Sequence, residues 1–282
     1  MFRYSATQWI FGDEGIEASL KRLQKYGYDG VELAGEPYSI DIEHTKRLLK
    51  QYGLICTSIC GIYTAERDLS SSRPEVRQKA VQYVKDCVDM ASSLGAAHVI
   101  VVPSPVGKSR PETTSSEEWA NAVNSLKEAG EYAASKQINL AIEALNRFET
   151  YLVNNLETAL ALAKEVNVDS VKIMADLFHM NIEERSHVQA LKTIAPYLVH
   201  VHIADNTREA AGMGQTDFEP VIRTLIELNY QGPITMEFLP PVANPYLAAS
   251  KTGSSEVFDL YTERSIQEMK RIVQKITGTA SA

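Results

Sequence analysis

The chain has 282 residues, a length that one α/β barrel or two ordinary domains would occupy. Hydrophobic residues make up 44% and charged residues 23%, enough apolar material for a packed core, which excludes disordered and fibrous classes. The 28 basic residues against 36 acidic ones leave a net charge of −8 with no Lys/Arg-rich block, which argues against a nucleic-acid partner.

In chain order the sequence repeats one phrase: a short apolar run, an amphipathic stretch, and a turn often carrying Gly. Phe2 to Thr7 opens as a strand. Ile16, Leu20 and Leu23 fall at i, i+4 and i+7 on one helix face, ended near Gly27, before the run Gly30-Val31-Glu32-Leu33. A second helix closes near Gly53, ahead of a strand from Ile55 to Gly61. Val76, Ala80, Val84, Cys87 and Ala91 stripe a third helix, closed by Gly95 before the strand His98 to Val102. Trp119, Val123 and Leu126 mark a fourth, before Leu140 to Ala144. Runs at Val171 to Asp176, Val199 to Asp205 and Pro233 to Phe238 alternate with helical patterns around residues 155–166, 187–195, 217–229 and 254–276. The spacing therefore predicts eight strands and eight helices.

Strands alternating with helices imply parallel β-α-β units, and their continuous apolar runs suit strands buried on both faces. Eight units in this length predict a single (β/α)8 TIM barrel across residues 1–282. A doubly wound sheet is the rival, but no G-x-G-x-x-G follows an early strand and no P-loop pattern occurs. The long strand-to-helix segments, Ser104 to Ser116, Ala204 to Thr216 and Leu239 to Gly253, would lie on the face at the C-terminal ends of the strands. That face is where barrels build active sites.

The N-terminus reaches Arg3 and Ser5 too early for a signal peptide, and no run approaches the roughly 18 apolar residues of a membrane span. The three cysteines, Cys56, Cys60 and Cys87, form no C-x-x-C pair, and Cys56 and Cys60 read as small buried hydrophobes. A cytoplasmic protein with no membrane partner is expected.

Polar residues interrupt the apolar runs at equivalent places: Glu143, Asp176, His202 and Glu237, one each from the fifth to eighth strands. Three carboxylates converging on one barrel mouth would repel one another unless a cation lay between them. Three carboxylate oxygens and one imidazole form a mostly hard donor set, suited to one divalent ion, Mn2+ first, with Mg2+ or Co2+ as alternatives. His98 and His200, inside apolar runs, are expected as core or supporting histidines, His44 and His187 as helix-surface residues, and Glu32 as a hydroxyl-binding group at the mouth.

The stretch Ala141-Ile142-Glu143-Ala144-Leu145-Asn146-Arg147-Phe148-Glu149, with Asp176-Leu177-Phe178-His179-Met180-Asn181 and His200-Val201-His202, resembles the ketose 3-epimerases of the D-tagatose and D-psicose group, within the xylose-isomerase-like barrels. The resemblance covers nearly the whole chain. It implies Glu143, Asp176, His202 and Glu237 as metal ligands and Glu149, His179 and Arg208 as residues that hold the substrate's oxygens near its carbonyl. Gly212-Met213-Gly214 falls where the family has a glycine-rich loop. A homodimer or homotetramer is implied as well.

The chemistry fits these residue types. Removing a proton next to a carbonyl places negative charge on oxygen, which a nearby cation stabilises as an enediolate. Epimerisation needs a base on one face and an acid on the other, roles suited to Glu143 and Glu237, whose strands are separated by two others. The same site could instead support β-elimination, as in inosose dehydratases or 3-oxo-C-glycoside deglycosidases, or aldose–ketose isomerisation; under elimination a heteromeric partner could cover the mouth. A DNA-repair endonuclease would want a basic face and a histidine-rich multi-metal cluster. A noncatalytic sugar-binding barrel would leave the two opposed glutamates unexplained.

Overall fold

The structure is a computed structural model that describes residues 2–241 and 255–278. Eight parallel strands close a barrel in sequence order: β1 (Arg3–Thr7), β2 (Gly30–Gly35), β3 (Ile55–Gly61), β4 (His98–Val101), β5 (Asn139–Ile142), β6 (Val171–Asp176), β7 (Leu198–Ile203) and β8 (Pro233–Met236). β1 pairs with β8, Arg3 opposite Pro233 and Ala6 opposite Met236, which closes the ring and leaves no sheet edge.

The helices are α1 (Ile16–Lys25), α2 (Ile42–Tyr52), α3 (Pro74–Leu94), α4 (Ser115–Ser135), α5 (Leu156–Val166), α6 (Leu177–Glu183), α7 (His187–Ile194), α8 (Phe218–Glu227) and α9 (Ser255–Thr277). Local chemistry sets their ends. Asp41, Thr114 and Asn155 accept from backbone N–H groups of the first turns of α2, α4 and α5. Gly53 and Gly95 end α2 and α3 in the left-handed conformation, which costs glycine no Cβ clash.

The strand and helix pattern read from the sequence is present, with one addition. α6 starts directly on β6 because the Asp176 side chain caps it, accepting from N–H of Phe178 at 2.7 Å and His179 at 3.4 Å. The helix pattern expected around 254–276 is α9, and most of the expected long segment Leu239 to Gly253 lies outside the described residues. No helix among the described residues is long and apolar enough to cross a membrane.

The main core lies between strands and helices; a separate layer of Cys60, Ile100, Ala141 and Met174 packs inside the barrel. All three cysteines are buried free thiols, as expected of small hydrophobes. The other side of the interior is polar: Ser5 Oγ lies 2.6 Å from Thr235 Oγ1, and Thr57 Oγ1 donates to Ser5 Oγ at 3.1 Å.

Candidate active site

Strand alternation aims the site residues. Ala141 and Met174 belong to the inner layer, so Glu143 and Asp176, two residues further on, project the same way above it. Thr235 aims Glu237 and His200 aims His202 by the same period. Glu143 and Glu237 each lie just past their strand, yet their N–H groups donate to Val101 O at 3.0 Å and Ile203 O at 2.9 Å, which extends the ladder and holds them rigidly.

The structure brings the four strand-end residues together. Glu143, Asp176, His202 and Glu237 are all buried, and each offers one donor atom within 4.8 Å of the others. His202 Nδ1 lies 3.1 Å from Glu237 Oε2 and 3.9 Å from Asp176 Oδ2. The donors fit a cation on two grounds. Asp176 Oδ2 and His202 Nδ1 are buried with no hydrogen-bond partner among the described residues, a costly state that a metal ion would relieve. Charge repulsion is also visible: burial, then the neighbouring Glu237 carboxylate, pushes the Glu143 carboxyl well above its ordinary range. Burial pushes Glu237 upward too, but His202 and Arg208 outweigh it and hold its pKa at about 2.

Behind His202 lies a buried carboxylate. Glu32 Oε1 is 3.0 Å from His202 Nε2, Glu32 Oε2 is 2.9 Å from His200 Nε2, and Ser58 Oγ donates to Glu32 Oε2 at 2.6 Å. Nε2–H of His202 is therefore engaged away from the site, which leaves Nδ1 to face Glu237 and Asp176. This corrects the expectation for Glu32. It sits in mid-strand on β2, fully buried beneath the site, where it cannot meet a sugar hydroxyl at the mouth. The supporting role expected of His200 is the one it occupies.

The residues singled out for substrate oxygens line the same cavity, whose volume is about 290 Å3. Nδ1 of His179 accepts from Asn146 N–H at 3.1 Å, so Nε2 carries the proton and points toward Glu143 and Asp176, 3.9 and 3.7 Å away. Burial lowers the His179 pKa and favours the neutral ring. Asn146 Nδ2 also donates to Glu149 Oε1 at 3.0 Å. Arg208 is buried in the left-handed backbone region at φ 64°, donates from Nη2 to Glu237 Oε2 at 2.9 Å, and lies over the Phe178 ring at 4.3 Å. The Gly212–Gly214 loop wraps the Asp205 carboxylate, which accepts from N–H of Gly212 and Thr216 at 3.0 Å each.

Sequence reasoning missed several contributors. Trp9 donates from Nε1 to Glu237 Oε1 at 3.2 Å; it lies on a 3-10 turn, Gln8–Phe11, immediately after β1, and its place after a strand was the available signal. Ile62, Val102, Val106 and Leu145 make the far wall apolar. A second cavity of about 370 Å3 opens beside His98 and Tyr230 at the opposite end of the barrel, and none of the converging carboxylates lines it.

Comparison with known proteins gives a consistent result. Residues 20–253 match the family described as xylose isomerase-like TIM barrel. An L-ribulose 3-epimerase of a Methylomonas species is 32% identical over 237 residues, covering 83% of this chain and 82% of that protein. A 3-dehydro-D-guloside 4-epimerase of Escherichia coli is 31% identical over 234 residues, covering 80% of this chain and 88% of the relative. The crystal structure of a Methylomonas D-allulose 3-epimerase in complex with D-allulose superposes with a TM-score of 0.84 at 27% identity, covering 96% of each chain.

Proposed function

The chain belongs to the xylose isomerase-like TIM barrel family, and on that premise we propose that it is a divalent-metal-dependent ketose 3-epimerase that interconverts ketoses by deprotonation and reprotonation at C3. The observation that carries this reading is the set of four buried donors, Glu143, Asp176, His202 and Glu237, converging within 4.8 Å with two orphaned donor atoms among them, while Glu143 and Glu237 line one small cavity. In this reading the four hold one Mn2+ ion, with Mg2+ or Co2+ as substitutes. The ion, when bound, supplies electrostatic stabilisation of the negative charge that develops on substrate oxygen.

The chain's own residues do the rest. Glu237, steadied by Trp9 and Arg208, exchanges the C3 proton on one face of the sugar, and Glu143, with two strands between them, serves the other. Nε2–H of His179 donates to an oxygen next to the reacting carbon. Glu149 and Arg208 orient the sugar's hydroxyls. A cavity of about 290 Å3 is at the small end of the range for ligand sites and suits a single monosaccharide. Among the described residues its one cationic lining group, Arg208, pairs with Glu237, which favours an unphosphorylated substrate.

A second reading, epimerisation at C4 of a keto-glycoside, draws support from the 31% identical 4-epimerase of E. coli. A panel of free ketoses and keto-glycosides turned over in deuterated water tests both. Deuterium at C3 of a free ketose product is the expected result, abolished by exhaustive chelation and restored by Mn2+. Deuterium at C4 would select the second reading, and an unsaturated product or a relocated carbonyl would overturn epimerisation altogether.

A further inference from the structure

A buried ion triad stands apart from the converging carboxylates, behind the apolar wall of the cavity. The Lys108 ammonium lies 2.7 Å from Asp68 Oδ2 and 2.6 Å from Glu118 Oε2, and the three side chains are 10%, 3% and 0% exposed. The remaining lone pairs are filled. Asp68 Oδ1 accepts from N–H and Oγ of Ser70 at 2.8 and 2.7 Å, and Glu118 Oε1 accepts from N–H of Glu112 and Thr113. Tyr151 Oη donates to Glu118 Oε2 at 2.5 Å. Asp68 follows β3, Lys108 follows β4, Glu118 is on α4 and Tyr151 follows β5, so one ammonium ties together four pieces of the C-terminal face.

Burying three charges is costly, and an apolar plug could fill the same space at no loss of stability. What the triad adds is geometry, and two contacts carry that geometry to the cavity. Gly107 N–H donates to Glu149 O at 2.7 Å, and Thr150 Oγ1 donates to Ser104 O at 3.1 Å. Val106, between these contacts, lines the cavity, as does Ile62, which precedes Asp68.

We propose that Lys108 is a positioning residue for substrate binding: through Asp68 and Glu118 it fixes residues 102–114, so that Val106 holds its place in the cavity wall and Gly107 holds the backbone of Glu149 where its carboxylate meets the sugar. This rests on the sugar-epimerase reading. Lys108 makes no contact with Glu143 or Glu237 among the described residues, so its effect falls on binding and leaves proton transfer alone.

The test compares Mn2+-loaded wild type, Lys108→Met, Lys108→Arg and Tyr151→Phe by steady-state kinetics on the ketose and by hydrogen exchange of residues 103–109 and 147–151. Lys108→Met raises KM by about ten-fold or more with kcat held within about three-fold, speeds exchange in both segments, and leaves Mn2+ affinity unchanged. Lys108→Arg recovers part of the KM. Tyr151→Phe, which keeps every charge and removes only the hydrogen bond to Glu118, shifts KM and exchange in the same direction by less. Unchanged exchange in both segments, or a fall in kcat with KM unaltered, overturns the proposal. Should wild type turn over no ketose, the epimerase reading fails by itself, and the exchange measurement alone decides whether Lys108 holds the wall.

Discussion

Glu32 on β2 and His202 on β7 meet inside the barrel, Oε1 to Nε2 at 3.0 Å, although their strands are not neighbours. The contact fixes the orientation of the imidazole and turns Nδ1 toward Asp176 and Glu237. The same carboxylate takes His200 Nε2 at 2.9 Å and the Ser58 hydroxyl at 2.6 Å, so it serves as a common anchor under the site.

Replacing Glu32 with Gln keeps the shape but lets the amide offer either an oxygen or an NH2 to His202. Loss of a partner of this type weakens metal binding by about 10- to 100-fold. Titration of Mn2+ into metal-free Glu32→Gln, followed calorimetrically, checks this; an affinity equal to wild type would show that packing alone holds the ring.

Glu143 and Glu237 are expected to divide the two faces of the substrate. Each of Glu143→Gln and Glu237→Gln should lose about 10^2- to 10^4-fold in kcat. With Mn2+ occupancy verified by metal analysis, each variant should still exchange the C3 hydrogen of one epimer with deuterated water, a different epimer for each. Near-normal interconversion by either variant would reject the acid–base pair.

The Lys108 triad has a pH signature. Burial pushes the Lys108 pKa down, but hydrogen bonds to Asp68 and Glu118 outweigh it and hold it above its ordinary value. Burial pushes Glu118 up, but hydrogen bonds from Lys108 and Tyr151 outweigh it and hold it below the usual range. A depressed acid contributes stability that is present above its unfolded pKa of about 4.3 and lost as pH falls through the folded value; a raised base contributes stability present below about 10.4 and lost as pH rises through its folded value. Lys108→Met should therefore be less stable than wild type by about 3 kcal/mol on a plateau from about pH 5 to 9, a margin that narrows in acid. Thermal unfolding from pH 3 to pH 9 measures it, and a margin unchanged at pH 3 would assign the loss to packing of the alkyl stem.

The four converging donors were legible because strands buried on both faces tolerate few charges, so Glu143, Asp176, His202 and Glu237 stood out against Val, Ile and Ala neighbours. Glu32 interrupts an apolar run in the same way, yet its depth along the strand decides its role. It lies mid-strand beneath the site, and only the pairing of β2 with its neighbours shows that. Trp9 and Lys108 carried no such contrast. One lies in a short turn and the other in a polar segment, where a charged or aromatic residue is ordinary. α6 was hidden because its cap, Asp176, doubles as one of the four donors.

Length, alternation and the placing of polar residues at strand ends were enough to determine the barrel and the four polar residues that converge at one end of it, because period and burial are local properties of a chain. Which atoms of those residues face one another was decided by the tertiary structure alone. Closing the ring brings β2 within reach of β7 and sets Asp68 and Glu118 around the buried ammonium of Lys108. Contacts of that kind depend on strand register and loop path, which the order of residues along the chain does not display.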